Sequence, residues 1–258
     1  MNDSENISIR VSAIWKNQEK YPTTISCDGM CLFADALIYT PLSSPTETEE
    51  AVFSSLREAA EQHPFSRITL CVKIHLTPTN EERTERTKAI IRGMFRAAVY
   101  GDISFMCEDI HTDKEYEALC SIFNSIFCEF EEEKREFNGY IRKGLLVDTP
   151  ISVLSSSFKG ADFICIDLDK MIPSLLGSTS GKSRFQKLYT RVTLDSLCSA
   201  LVELFSEIKP PIHLMTSDFA SNSFIFPLAR ALCAEELLIP ISVANELPLI
   251  YKTKDPRT

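Results

Sequence analysis

The chain has 258 residues, 44% of them hydrophobic and 24% charged, with a formal net charge of −9 and a pI of 5.1. Such a balance can bury a full core, while the acidity disfavours nucleic acid, whose backbone needs Lys and Arg to displace counterions, and anionic membrane. No run approaches the roughly 18 apolar residues of a membrane span, and the polar, acidic start at residues 1–9 lacks the pattern of a signal peptide.

The first strand signal is the alternation of residues 7–14, followed by 29–33, which leads into Leu37, Ile38 and Tyr39. A helix is expected over 46–62, with Glu47, Glu49 and Glu50 in its first turn, where acids favour the helix dipole. The β-rich run 68–76 comes next, then a helix over 82–98 and a strand over 103–107. Residues 113–133 place Tyr116, Leu119, Cys120, Phe123, Ile126 and Phe127 on one helical face. Strands follow at 144–147 and 163–166, a helix marked by Leu194, Leu197, Leu201 and Phe205, a strand at 212–215, a helix carrying Phe226, Ala229, Arg230 and Cys233, and a last strand at 237–243. Eight strands alternating with helices imply a parallel sheet with right-handed crossovers, which closes naturally into a (β/α)8 barrel. An open doubly wound sheet is the competing arrangement. No linker divides the chain, so residues 1–258 read as one barrel domain with a C-terminal tail from about residue 245.

Nine cysteines, an odd number without a C-x-x-C pair, read as small hydrophobes in a reducing cytoplasm, with Cys71, Cys165 and Cys233 set in apolar runs. The acidic stretch 129–136 reads as the solvated end of a helix. Residues 177–183 (GSTSGKS) miss the phosphate-loop spacing by one residue and read as an ordinary loop. The four histidines, His63, His75, His111 and His213, lack the i, i+4 spacing of a metal motif and read as hydrogen-bonded structural residues. The acids at strand ends carry more chemistry. Glu108 and Asp109 follow the fourth strand, Asp148 the fifth, Asp167 and Asp169 the sixth, and Asp218 the seventh. In a barrel these ends meet on the face where active sites lie, and clustered carboxylates suit Mg²⁺, Mn²⁺ or a cationic ligand, unless they serve as helix caps.

The order of these segments resembles the C-terminal barrel of phosphoenolpyruvate-utilising enzymes, the family of Enzyme I of the sugar phosphotransferase system and pyruvate phosphate dikinase. The resemblance rests on Gly144-Leu145-Leu146-Val147-Asp148-Thr149-Pro150 against the family's G-x-M-x-E-x-P strand, on Val99-Tyr100-Gly101 against A-Y-G, on Ala161 to Ile166 against V-D-F-F-S-I, and on Pro45-Thr46-Glu47. It implies a magnesium-dependent transferase site and a dimer, but the functional positions depart. Ala34 stands where the family has an arginine, Lys73 at a second arginine, and Ser180 near a third; Asn222 belongs with these ligand-facing positions. Phosphate recognition favours the arginine fork, so their loss weakens a trianion site. Asp148 is one methylene shorter than the metal-binding Glu, and Lys170 falls at the second metal ligand, beside Asp167 and Asp169. Thr216 replaces the cysteine that protonates the enol carbon, and Asp218 takes the neighbouring Glu position. A hydroxyl is far weaker as an acid than a thiol of pKa about 8.5. Nor does the chain leave room for the phosphohistidine domain.

These departures give three expectations. The first is a non-catalytic relative acting by binding a ligand or protein partner. The second is a metal-dependent enzyme on a pyruvate-like or phosphoenolpyruvate-like substrate, with the acids on the metal and Lys73 or Lys170 polarising a carbonyl. The third is a residual component of the phosphotransferase system.

Overall fold

The computed structural model describes residues 9–15, 27–37, 44–74, 81–155, 158–175, 191–217 and 225–244. All eight expected strands form: β1 (Arg10–Trp15), β2 (Gly29–Phe33), β3 (Arg67–Lys73), β4 (Ile103–Glu108), β5 (Arg142–Val147), β6 (Phe163–Asp167), β7 (Ile212–Met215) and β8 (Glu236–Pro240). Each pairs in parallel with the next, and β8 pairs with β1, so the sheet closes and the open doubly wound arrangement is excluded. The helices are α1 (Ala34–Leu37), α2 (Pro45–Gln62), α3 (Glu81–Ala97), α4 (Asp113–Glu133), α5 (Pro150–Ser155), α6 (Leu168–Leu175), α7 (Arg191–Phe205) and α8 (Ile225–Ala231). Short α1, α5 and α6 escape the sequence reading, since four to eight residues give too few turns to show a helical period. Two longer helices start where the chain supplies a reciprocal cap: Ser44 with Glu47 for α2, and Thr112 with Glu115 for α4.

The pleat sorts every strand into two faces. Ile68, Leu70 and Val72 of β3, Ile103, Phe105 and Cys107 of β4, and Ile164 and Ile166 of β6 join the core shared with the helices. Their alternates Cys71, Met106 and Cys165 meet Ile14, Cys31, Leu146, Met215 and Leu238 in a second core inside the barrel. Cys31, Cys71 and Cys165 are at most 1% exposed, and burial drives the thiols of Cys71 and Cys165 well above their ordinary pKa. They behave as apolar filling, as expected. All nine cysteines are free, but Cys233 is exposed rather than buried: α8 stops at Ala231, and Cys233 sits in a left-handed turn at φ 51°. The last strand is shorter than expected, because the chain turns helical at 241–244 instead of remaining extended to residue 243. The acidic end of α4 is solvated as read, apart from buried Phe130 and the ion pair of Glu129 with Arg92. No helix among the described residues is long and apolar enough to cross a membrane.

Below the apolar layer, at the N-terminal end of the lumen, lie Ser12, Glu236 and His213, each 2% exposed. Ser12 donates to Glu236, and the ring of His213 stacks on Phe163 at 4.4 Å with Glu236 Oε2 3.6 Å from Nδ1. Burial, with Arg142, Arg67 and Arg10 nearby, lowers the His213 pKa to about 3, whereas burial raises that of Glu236. A histidine held neutral adds stability that is complete above its unfolded pKa near 6.5 and is lost as pH falls from there towards 3. Glu236 works in the opposite sense. Urea unfolding at pH 7 and 4.5 should therefore show the acid-linked loss shrinking by about 2–3 kcal/mol in His213→Phe relative to the parent.

Gly144 in β5 has a steric reason that its motif alone does not give. A Cβ there would lie 2.2 Å from the Phe163 ring, which is held in turn by the stacked ring of His213 and the guanidinium of Arg142. Gly144→Ala should cost about 1–3 kcal/mol by overpacking, read from urea midpoints.

Candidate functional site

Two residues beyond five residues of the inner core, the same pleat face reaches the C-terminal mouth. Cys31 is followed by Phe33, Cys71 by Lys73, Met106 by Glu108, Leu146 by Asp148 and Cys165 by Asp167. A period of two therefore delivers charged side chains from β3, β4, β5 and β6 to one rim.

Those charges are paired among themselves. Lys170 Nζ, on α6, lies 3.2 Å from Asp148 Oδ2 and 3.8 Å from Asp167 Oδ2. Burial works against the Lys170 charge, but Asp148 and Asp167 outweigh it and hold its pKa above the ordinary lysine value. Lys73 Nζ lies 3.2 Å from Asp109 Oδ2, and Asp109 adopts the left-handed backbone at φ 62°, which Asp tolerates better than most residues. The Cys71 thiol donates to Glu108 Oε1 at 3.3 Å.

Asp169 serves a different purpose. Its Oδ1 accepts the Thr216 hydroxyl at 2.6 Å, and its Oδ2 accepts both the backbone N–H of Ser217 at 2.7 Å and the Ser217 hydroxyl. Its own N–H donates to Asp167 Oδ1 at 3.1 Å. Asp169 thus ties the start of α6 to the end of β7. Thr216 is fully buried, with its hydroxyl on Asp169. A further chain of polar groups runs from His111 Nδ1 to the Ser152 hydroxyl at 3.0 Å and on to the Thr149 hydroxyl at 2.8 Å. His111 is thereby hydrogen-bonded, as read from the sequence.

Of the residues singled out in the sequence, Lys73, Glu108, Asp109, Asp148, Asp167, Asp169, Lys170 and Thr216 meet at this mouth. Ala34 is buried at the start of α1. His75, Ser180, Asp218, Asn222 and residues 177–183 lie outside the described residues. Ser217 and the Cys71–Glu108 contact were missed: Ser217 acts partly through its backbone N–H, and Cys71 reads as plain filling. Among the described residues, no three His, Cys, Asp or Glu side chains form a group able to hold a metal ion. A divalent cation needs oxygen ligands that converge and are not already engaged. Here Lys170 sits against Asp148 and Asp167, and Asp169 is bound to Thr216 and Ser217.

No family model matches the chain. It is 27% identical over 110 residues to the phosphoenolpyruvate-protein phosphotransferase of Haemophilus influenzae, a match covering 42% of this chain but only 19% of that protein. Among solved structures, an HpcH/HpaI aldolase/citrate lyase family protein from Burkholderia cenocepacia superposes with a TM-score of 0.56 at 12% identity, over 96% of this chain and 94% of that one. Malate synthase from Haloferax volcanii, solved with lead(II), gives 0.60 at 11%, over 98% and 75%. A 2,3-dimethylmalate lyase of the PEP mutase/isocitrate lyase superfamily gives 0.52 at 10%, over 96% and 80%. These structural likenesses show the barrel.

Removing the Asp169 carboxylate leaves the buried Thr216 hydroxyl and the Ser217 N–H without their acceptor. Asp169→Ala should lower stability by about 1–3 kcal/mol, and Asp169→Asn by less, in chemical denaturation.

Proposed function

We propose that this protein is a binding protein on a barrel of the phosphoenolpyruvate-utilising kind, in which a lysine ammonium has taken the place of the divalent cation. The observation that carries the reading is the position of Lys170 Nζ against Asp148 and Asp167. By the sequence resemblance, Asp148 corresponds to a metal-binding carboxylate and Lys170 to the other metal ligand. A tethered ammonium neutralises part of the carboxylate charge, but it has no open coordination position with which to polarise an enolate oxygen.

The rest of the mouth supports this reading. Among the described residues, the carboxylates of Glu108, Asp109, Asp148, Asp167 and Asp169 share the rim with the ammonium groups of Lys73 and Lys170, each of which is paired with a carboxylate. A trianion such as phosphoenolpyruvate meets repulsion there, and the arginines that would grip its phosphate are replaced. The hydroxyl at the proton-donor position is committed to Asp169. A cationic group on a ligand or protein partner fits this rim better.

Thermal unfolding with Mg²⁺, Mn²⁺, phosphoenolpyruvate and pyruvate, singly and combined, tests the proposal. A ligand that binds the native state alone adds roughly 2.7 kcal/mol at a hundredfold excess over its dissociation constant. The parent protein should show no shift, whereas Lys170→Met should become stabilised by Mn²⁺ as Asp148 and Asp167 are released. Stabilisation of the parent by metal together with phosphoenolpyruvate would overturn the reading in favour of a metal-dependent enzyme.

A further inference from the structure

The pleat that carries charge to the mouth carries polar side chains to the other end of the lumen. Two residues before members of the inner core, on the same face, come Ser12 on β1, Thr69 on β3, Ser104 on β4, His213 on β7 and Glu236 on β8. All five are buried. Arg67 stands two residues before Thr69 at the start of β3. Buried polar atoms are almost always hydrogen-bonded, and an exception asks for a physical account. Among the described residues, five buried side-chain atoms lack a hydrogen-bond partner, and four of them belong to this one end of the lumen: Arg67 Nη1, Ser104 Oγ, His213 Nε2 and Glu236 Oε2.

Their separations point to a shared ligand. Glu236 Oε2 lies 4.0 Å from Arg67 Nη1 and 3.6 Å from His213 Nδ1. Both gaps exceed a direct hydrogen bond, and both match the span that one water bridges with a bond of ordinary length to each side. The gaps are set by the frame, because each group is held from another direction. Glu236 Oε1 accepts from Ser12, Arg67 Nε donates to Asp102 at 3.0 Å, and the His213 ring is stacked on Phe163. The lining also selects the chemistry of the ligand. An anion between these groups would meet the Glu236 carboxylate, and a cation would meet the Arg67 guanidinium. A small neutral molecule that both donates and accepts satisfies the two together, and it serves His213 in either tautomer. We propose that this end of the barrel is a binding site for an ordered internal water, which accepts from Arg67 Nη1, donates to Glu236 Oε2 and bonds His213 Nδ1. The proposal is independent of the chemistry at the mouth.

Two measurements on the full chain test it. In a crystal structure of the parent, a density peak should stand within hydrogen-bond distance of both Glu236 Oε2 and Arg67 Nη1. Direct contact between those two atoms, with no peak, overturns the proposal. So does an anomalous peak at the same place in crystals grown with bromide, which would mark an anion. In solution, oxygen-17 relaxation dispersion counts the waters that a protein holds for longer than it takes to tumble. Its amplitude should fall by the equivalent of one water in Glu236→Leu and stay at the parent value in Glu236→Gln, whose amide can still bond a water. Circular dichroism shows whether each variant is folded, and Arg67→Met replaces Glu236→Leu if the latter is not. An amplitude unchanged by loss of either partner overturns the site.

Discussion

Closing eight parallel strands into a ring leaves a lumen only as wide as the side chains that fill it, and this closure governs the rest of the molecule. Every second residue of each strand must enter that space, so the filling is layered. At the closed end the layer is polar, with Ser12, Glu236 and His213 buried. The middle layer is apolar and rich in cysteine and methionine. The outermost layer is charged. A shift of one residue in any strand would exchange its lumen-facing and helix-facing sets, placing Lys73 or Glu108 in the shared core. The position of the mouth chemistry is therefore fixed by the same register that closes the sheet.

That geometry also explains why the mouth charges settle into pairs. Adjacent strands bring neighbouring rim positions together: Lys73 is in register with Glu108, and Asp109 follows directly. Asp148 and Asp167 project from adjacent β5 and β6, so their carboxylates repel unless a cation lies with them. Lys170, three residues after Asp167 on the first turn of α6, supplies that cation from within the chain. Because it is covalently held, its effective concentration does not depend on the solution, and a soluble metal must displace it to bind. The same turn carries Asp169, whose bonds to Thr216 and Ser217 fix where α6 begins. One short segment, residues 167–170, thus sets both the electrostatics and the docking of its helix.

Much of the fold was legible from the sequence because it rests on local periodicity. All eight strands and the long helices follow from alternation and from helical spacing, and α4 matches to the residue. What escaped was short or non-local. Residues 150–155 span less than two helical turns, so α5 left no period to read, and Cys233 looked buried because its neighbours are apolar although the helix ends before it. At the mouth, the residue types and their strand-end positions were readable. Their partners were not, since Lys170 with Asp148 and Asp169 with Ser217 are separated by 22 and 48 positions. Such contacts depend on strand order and register, which a single sequence does not state. The paired state of the acids emerged only when the strand ends were brought together.

The paired mouth is built largely from one region of the chain, residues 148–170. Asp148 follows β5 and Asp167 ends β6, and each strand is followed by a short helix, α5 and α6. The first turn of α6 brings Lys170 to Asp148 and Asp167, and Asp169 to Thr216 and Ser217. Burial of Leu168, Met171 and Ile172 anchors that helix to the barrel, so the turn that holds Lys170 and Asp169 is fixed by apolar packing on one side and by its polar partners at the rim on the other.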